Sequence, residues 1–220
     1  MHFYLDTANA DEIERRLPCP LVYGVTTNPS SMKRAGLAWS DLPDFVRLVA
    51  SLGARAVHLQ VRHQEANAML EDAREYLALR GPADVLVKIP ATAEGYVAAR
   101  RLADEGAGVT MTAIFEPEQV LWSAQVGARY AAPYLGRMDD AGRDGLALIA
   151  EMEHVLRRYG PGEGPGGLRL LVASVRTREA FLGLLRIGVG GVAAPPSLFD
   201  AVIEHPATSA AEATFLADAR

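Results

Sequence analysis

Val85-Leu86-Val87-Lys88-Ile89-Pro90 is a run of branched apolar residues with one lysine inside it and a proline at its end. It reads as a buried strand, being short, β-branched and closed by a residue that helices do not tolerate. Lysine is almost never buried unless it is paired or functional. Composition sharpens the point. Of 22 basic residues only Lys33 and Lys88 are lysine, so wherever this chain needs a plain surface cation it uses arginine. A chemical reason to keep an amine at position 88 is nucleophilic: an amine forms a Schiff base with a carbonyl, and a guanidinium does not. In water, an amine of pKa ~10.4 is neutral in roughly one molecule per few thousand at pH 7. Burial disfavours the ammonium and raises that fraction. The alternative is an edge-strand lysine that blocks aggregation.

Outward from this run, the same pattern recurs eight times. The apolar runs are His2–Leu5, Tyr23–Val25, Ala56–Gln60, Val85–Ile89, Gly108–Ala113, Tyr130–Pro133, Arg169–Ser174 and Gly191–Ala194. Amphipathic stretches lie between them: Asp41–Leu52, with Leu42, Phe45, Val46 and Val49 at helical spacing, then Gln64–Leu79, Ala93–Glu105, Pro117–Val126, Leu146–Tyr159 and Thr177–Ile187. Thr92, ahead of Ala93-Glu94-Gly95, suits a helix N-cap, and Asp139-Asp140 is expected to open another helix. Eight strands alternating with helices predict an α/β fold, a single (β/α)8 TIM barrel over residues 1–220 with a C-terminal helix at about 205–220. The competing doubly wound sheet would carry a Gly-x-Gly-x-x-Gly after a strand, and no run has one. Gly160–Gly167 (GPGEGPGG) is expected to be a loop.

Composition narrows the function. Half of the 220 residues are hydrophobic and the net charge is −5, with no basic stripe interleaved with aromatics, so nucleic acid is not an expected partner. No apolar run approaches 18 residues, which excludes a transmembrane helix. The N-terminus enters a strand directly, and a cytoplasmic location is expected. The single cysteine, Cys19, sits between two prolines and reads as structural. His58, His63 and Glu65 lack a zinc spacing, so no metal site is expected, and His58 reads as a hydrogen-bonded core histidine.

In a parallel barrel, reactive groups gather at the C-terminal strand ends, and every second side chain faces inward. The polar residues there are Asp6, Thr26, Thr27, Asn28, Gln60, Lys88, Thr112, Tyr134, Arg137, Ser174 and Arg176. Leu86 shares the face of Lys88, while Val85, Val87 and Ile89 point to the helices. Each polar residue has a plainer reading. Asp6 or Ser174 could cap a helix, Thr26–Pro29 could be a turn, Gln60 a satisfied barrel amide, and Arg137 a surface partner of Asp139 or Asp140. Their joint placement is the signal.

These residues fall into motifs: Tyr4-Leu5-Asp6-Thr7, Gly24-Val25-Thr26-Thr27-Asn28-Pro29, Val87-Lys88-Ile89-Pro90 with Thr92-Ala93-Glu94-Gly95, Ala132-Pro133-Tyr134 with Arg137, and Ala173-Ser174. In them the chain resembles the small transaldolase family, and within it the fructose-6-phosphate aldolase-like branch, over nearly its whole length. The resemblance implies a barrel with Lys88 as the Schiff-base lysine and Asp6 as the acid/base on the C4 hydroxyl. A water held by Gln60, Thr112 and Tyr134 would shuttle protons. Thr26 joins the substrate-binding set, Asn28 and Ser174 would bind donor hydroxyls, and Arg137 and Arg176 the phosphate. The implied ligands are small-molecule sugar phosphates, with no metal or organic cofactor. A homo-oligomer is also implied, since in the aldolase branch the C-terminal tail contacts a neighbouring subunit.

The chain mixes features of the two branches. The larger transaldolases usually carry Glu where Gln60 stands and Phe where Tyr134 stands, so both positions follow the aldolase type. Arg176 and Leu135-Gly136-Arg137-Met138-Asp139-Asp140 look more transaldolase-like, and the tail after Phe215 is shorter than in the aldolase. Three functions follow: a class I aldolase acting on fructose 6-phosphate, a transaldolase with the same lysine, and a non-catalytic sugar-phosphate binder. Retention of both Lys88 and Asp6 favours the enzymes, since binding alone needs neither.

Overall fold

The computed structural model describes residues 1–159 and 167–219. Eight strands pair in parallel and in sequence order into a closed barrel: β1 (His2–Asp6), β2 (Val22–Thr26), β3 (Ala56–Gln60), β4 (Asp84–Pro90), β5 (Val109–Ile114), β6 (Tyr130–Pro133), β7 (Arg169–Val172) and β8 (Gly191–Ala194). Around them lie α1 (Ala10–Arg16), α2 (Pro29–Ala35), α3 (Leu42–Ser51), α4 (Ala66–Leu77), α5 (Ala93–Asp104), α6 (Pro117–Gln125), α7 (Leu135–Asp140), α8 (Gly145–Tyr159), α9 (Arg178–Ile187), α10 (Pro196–Ile203) and α11 (Pro206–Asp218). The expected (β/α)8 TIM barrel is thus the observed fold.

Strand alternation divides the core in two. Tyr4, Ala56, Leu86, Tyr130, Leu171 and Ala193 fill the barrel interior. Phe3, Leu5, Val57, Leu59, Val85, Val87 and Ile89 pack outward with the helices. On α3 the four residues predicted for the apolar face, Leu42, Phe45, Val46 and Val49, are all buried. Thr92 caps α5 by accepting from the Gly95 N–H at 3.1 Å. Gly95 has its own reason. A Cβ there would stand 2.0 Å from the Pro90 carbonyl oxygen, so only glycine lets α5 start directly against the end of β4, the strand that carries Lys88.

Two expectations fail. Asp139-Asp140 closes helix α7 rather than opening one. Leu135 and Met138, one turn apart, are both buried and hold this short helix in place. Helix α8 begins at Gly145, with the Asp139 and Asp144 carboxylates accepting from the N–H groups of Gly145 and Ala147. The run expected to end at Ser174 leaves the ladder at Val172; Ala173 makes an isolated bridge to Tyr134, and Ser174 turns with φ 59°. The loop expected over 160–167 lies, apart from Gly167, outside the described residues. The expected C-terminal helix is α11; none of its residues is buried, and Phe215 and Leu216 are exposed. Among the described residues no helix is long and apolar enough to cross a membrane.

Candidate active site

Lys88 lies on the inward face of β4 and is only 5 % exposed. Its ladder neighbours are Gln60 on β3 and Thr110 on β5. The Nζ donates to Thr26 Oγ1 and to the Thr27 carbonyl, each at 3.0 Å. An ammonium has three protons to place and a neutral amine has two. Two acceptors satisfy the neutral amine and leave its lone pair in the remaining tetrahedral direction. Burial pushes the Lys88 pKa down, and the Asp6 carboxylate partly restores it. Among the described residues Lys88 has no ion pair to explain it as a structural charge.

Asp6 ends β1 beside Thr26. It does not cap α1, because Asn9 does: the Asn9 side chain accepts from the Glu12 N–H at 3.0 Å. Its Oδ1 is covered from solvent and has no hydrogen-bond partner among the described residues. A buried carboxylate oxygen left unpaired is costly unless something else comes to it. Burial raises the Asp6 pKa, while the charges of Lys88 and of Arg34 on α2 pull it back. Sequence reading missed Arg34, which carries no motif and acts only through its position.

Thr112 and Tyr134 meet, with the two hydroxyls 2.9 Å apart. Gln60 sits next to Lys88 in the ladder, and no direct hydrogen bond joins its side chain to this pair among the described residues. Of the expected water-holding trio, two members touch, and the third sits on β3 with β4 between it and Thr112. Two non-glycine residues here take a left-handed backbone, Ala113 at φ 58° and Ser174 at φ 59°. Such outliers are uncommon and collect at functional sites. Ala113 marks a register shift between β5 and β6, just before the Ile114 carbonyl that accepts from the Tyr134 N–H. The bulge is what brings Tyr134 to Thr112.

Asn28 caps α2 reciprocally with Ser31, its side-chain oxygen accepting from the Ser31 N–H at 2.9 Å. That use leaves the two amide protons for another acceptor. Thr26–Pro29 is thus not a free-standing turn but the link from β2 into α2, with Asn28 as its N-cap and Pro29 as the first helical residue. Ser174 does not cap a helix, since Thr177 caps α9. The Arg137 guanidinium lies over the Tyr134 ring, 5.4 Å from its centroid, and no ion pair joins it to Asp139 or Asp140 among the described residues. Asp140 instead pairs with Arg176 through two hydrogen bonds of 2.7 Å. Gly136 holds this corner together. A Cβ there would lie 2.5 Å from the Ser174 carbonyl and 2.9 Å from Arg176 Nε, so α7 packs onto the end of β7 only with glycine at this position. His58 is the core histidine expected, fully buried, with Nδ1 3.0 Å from Thr110 Oγ1. Sequence reading placed Thr27 at this mouth but missed its contact with Lys88, which is made by a main-chain carbonyl and so has no side-chain signature.

The site thus combines a buried amine, a carboxylate with an unpaired buried oxygen, a phenol hydrogen-bonded to a threonine hydroxyl and exposed arginines at one mouth of a barrel. The family model for transaldolase/fructose-6-phosphate aldolase matches residues 3–220. The chain belongs to that family. It is similar to a probable transaldolase of Anaeromyxobacter dehalogenans, 36% identical over 219 residues, covering 99% of this chain and 96% of that protein. It is also similar to a probable transaldolase of Methanococcus maripaludis strain C5, 37% identical over 218 residues, covering 99% and 97%. The transaldolase/aldolase family places the protein among enzymes, not among binding modules that merely share a barrel.

The exposed Arg176–Asp140 pair makes a prediction. Surface ion pairs are weak, so a phosphate dianion can displace Asp140. Arg176→Ala is expected to raise KM for phosphorylated substrates about tenfold to hundredfold, the usual loss for a charge-assisted bond, with little change for unphosphorylated ones. Steady-state kinetics on a matched pair of aldehyde acceptors checks it, and equal losses on both would remove Arg176 from the phosphate site.

Proposed function

We propose that this protein is a class I aldolase that cleaves or forms fructose 6-phosphate from dihydroxyacetone and an aldehyde phosphate, with weaker transfer activity. Neutral Lys88 attacks the ketone, and the carbinolamine loses water to an iminium. The iminium draws the C3–C4 bonding pair toward itself while Asp6 takes the C4 hydroxyl proton. The aldehyde phosphate leaves, and an enamine of dihydroxyacetone stays on Lys88. Protonation of the enamine followed by hydrolysis releases dihydroxyacetone. Capture by a second aldehyde gives transfer instead.

The observation that carries the aldolase reading is the 2.9 Å contact between Thr112 and Tyr134. A phenol both donates and accepts, so anchored by Thr112 it can orient and polarise a water toward the enamine. Gln60, beside Lys88, is neutral and orients water without removing its proton. Transfer as the main activity is the second reading, supported by the names of the relatives and by Arg176. A homo-oligomer fits the exposed Phe215 and Leu216 on α11, and a net charge of −5 without a basic stripe favours small-molecule substrates over nucleic acid as the ligands.

The test is product analysis with fructose 6-phosphate, with and without erythrose 4-phosphate. Wild type is expected to release mainly free dihydroxyacetone. Tyr134→Phe keeps the ring and deletes the hydroxyl, and is expected to lower the ratio of free dihydroxyacetone to transfer product about tenfold, in line with loss of one neutral hydrogen-bonding group. A wild type dominated by transfer, or an unchanged ratio in the variant, hands the assignment to the transaldolase reading.

A further inference from the structure

A cavity of about 250 Å³ opens at the amino-terminal ends of the strands, the face opposite the Lys88 mouth. Its polar lining comes from His2, Tyr23, Asp84, Arg129, Tyr130 and Arg169. The hydrogen bonds there run one way. Arg169 Nη1 lies 3.2 Å from His2 Nε2, and a guanidinium can only donate, so Nε2 accepts. The neutral ring then carries its proton on Nδ1, which donates to the Tyr130 hydroxyl at 3.0 Å. The Tyr4 hydroxyl also donates to the Tyr130 oxygen, at 3.1 Å. Tyr130 accepts twice, and its own proton has no acceptor among the described residues. It lines the cavity, so a donor stands free at its wall.

The charges agree. Arg129 pairs with Asp84 at 3.0 Å, which offsets that one cation. Among the described residues Arg169 meets no carboxylate, and neither does Arg55, whose guanidinium lies 5.7 Å from the Tyr23 ring centroid. Many arginines of this chain are ion-paired, among them Arg15, Arg16, Arg62, Arg100, Arg143 and Arg176. Arg169 at the cavity wall, without a carboxylate partner among the described residues, and the cation of Arg55 behind Tyr23 combine with the unused hydroxyl donor to describe a site short of an anion. His2, stacked on Tyr23 at 3.7 Å, reports the same field. Burial, Arg169, the N-terminal amine and Arg55 together push its pKa down to about 4.

We propose that this cavity binds a phosphate group, free or carried on a small metabolite, between Arg169, Arg129 and the Tyr130 hydroxyl. The volume lies below the ~300–1,000 Å³ of sites for larger ligands, which suits a phosphate with a short carbon chain. The site is separate from the aldol chemistry and does not depend on its assignment.

The experiment uses the full chain carrying Arg137→Gln and Arg176→Gln, which silences the phosphate groups at the Lys88 mouth. Inorganic phosphate and glycerol 3-phosphate are titrated calorimetrically, with the His2 ring followed by NMR. Binding is expected to persist in this background, to move the His2 signals over the same concentration range, and to raise the His2 pKa, since a nearby anion favours its charged form. Arg169→Gln is expected to weaken binding at least tenfold while leaving aldol turnover in phosphate-free buffer unchanged. Tyr130→Phe, which keeps the ring, is expected to weaken it about fivefold and gives a measurement independent of Arg169. Tighter binding of glycerol 3-phosphate identifies a metabolite site, and equal affinities a free-phosphate site. Binding lost with Arg137 and Arg176, indifferent to both Arg169 and Tyr130, or silent at His2 overturns the proposal.

Discussion

Lys88→Arg is expected to fold, to give no covalent adduct when borohydride is added with a dihydroxyacetone donor, and to lose on the order of 10⁴-fold or more in turnover, because the covalent route is closed and not merely slowed. The wild type is expected to be trapped at Lys88. The argument does not rest on the strand position alone. Lys88 is 5 % exposed and has two acceptors for its protons, which is the hydrogen-bond capacity of the amine and one short of that of the ammonium. The depressed pKa also has a stability signature. Below the ordinary value of 10.5, the unfolded chain binds a proton at this residue that the native state holds less readily. Stability therefore rises with pH as pH climbs from the folded pKa toward 10.5. Lys88→Met removes this contribution, so urea unfolding between pH 7 and about 9.5 is expected to show a flatter pH dependence in the variant. An adduct on Lys33, or a trapped Lys88→Arg protein, would end the Schiff-base reading.

The barrel was legible because its signals are repeated and local. Eight apolar runs and the amphipathic stretches between them are set by period alone, and the α3 face came out residue by residue. What escaped depends on contacts distant in sequence. The short helices α2, α7 and α10 have too few turns to show a period. The placing of Asp139-Asp140 failed because acidic residues ordinarily mark a helix start, and here the burial of Leu135 and Met138 overrides that preference and puts the pair at the end of α7. In the site, side chains at strand ends were found by type and position. The partners that fix them were not: the Thr27 carbonyl under Lys88, the Ala113 bulge that delivers Tyr134, the Gly136 contact with Ser174, and Asp140 on Arg176. Backbone groups and close approaches leave no residue-type signature. The arginine-rich cavity at the far mouth was hidden for the same reason, since His2, Arg129, Tyr130 and Arg169 meet only when the barrel closes.

Asp6→Asn is expected to separate the two halves of the reaction. Asp6 is proposed to take the C4 hydroxyl proton as the carbon–carbon bond breaks, and loss of a positioned base commonly costs about 10²–10⁴-fold. Schiff-base formation needs a neutral Lys88 and a proton for the departing carbinolamine hydroxyl, and the water proposed at Thr112 and Tyr134 supplies that proton without Asp6. The Asp6 carboxylate raises the Lys88 pKa, so its removal lowers that pKa further, and the acid limb of adduct formation should move to lower pH. The variant is therefore expected to be trapped by borohydride as readily as wild type, over a wider pH range, while turning over about 10²–10⁴-fold more slowly. The fold gives no reason for a larger disturbance. Asn9, not Asp6, caps α1, and Asp6 Oδ1 has no partner to lose among the described residues. An amide is nearly isosteric with the carboxylate, and it removes a charge whose burial is already unfavourable. The decisive quantities are the adduct yield, measured by mass spectrometry after reduction, and the rate of aldehyde phosphate release in the same preparation. Adduct and turnover lost together would mean that Asp6 acts by setting the state of Lys88. Turnover retained would mean that another group takes the C4 proton, and Asp6 would leave the mechanism.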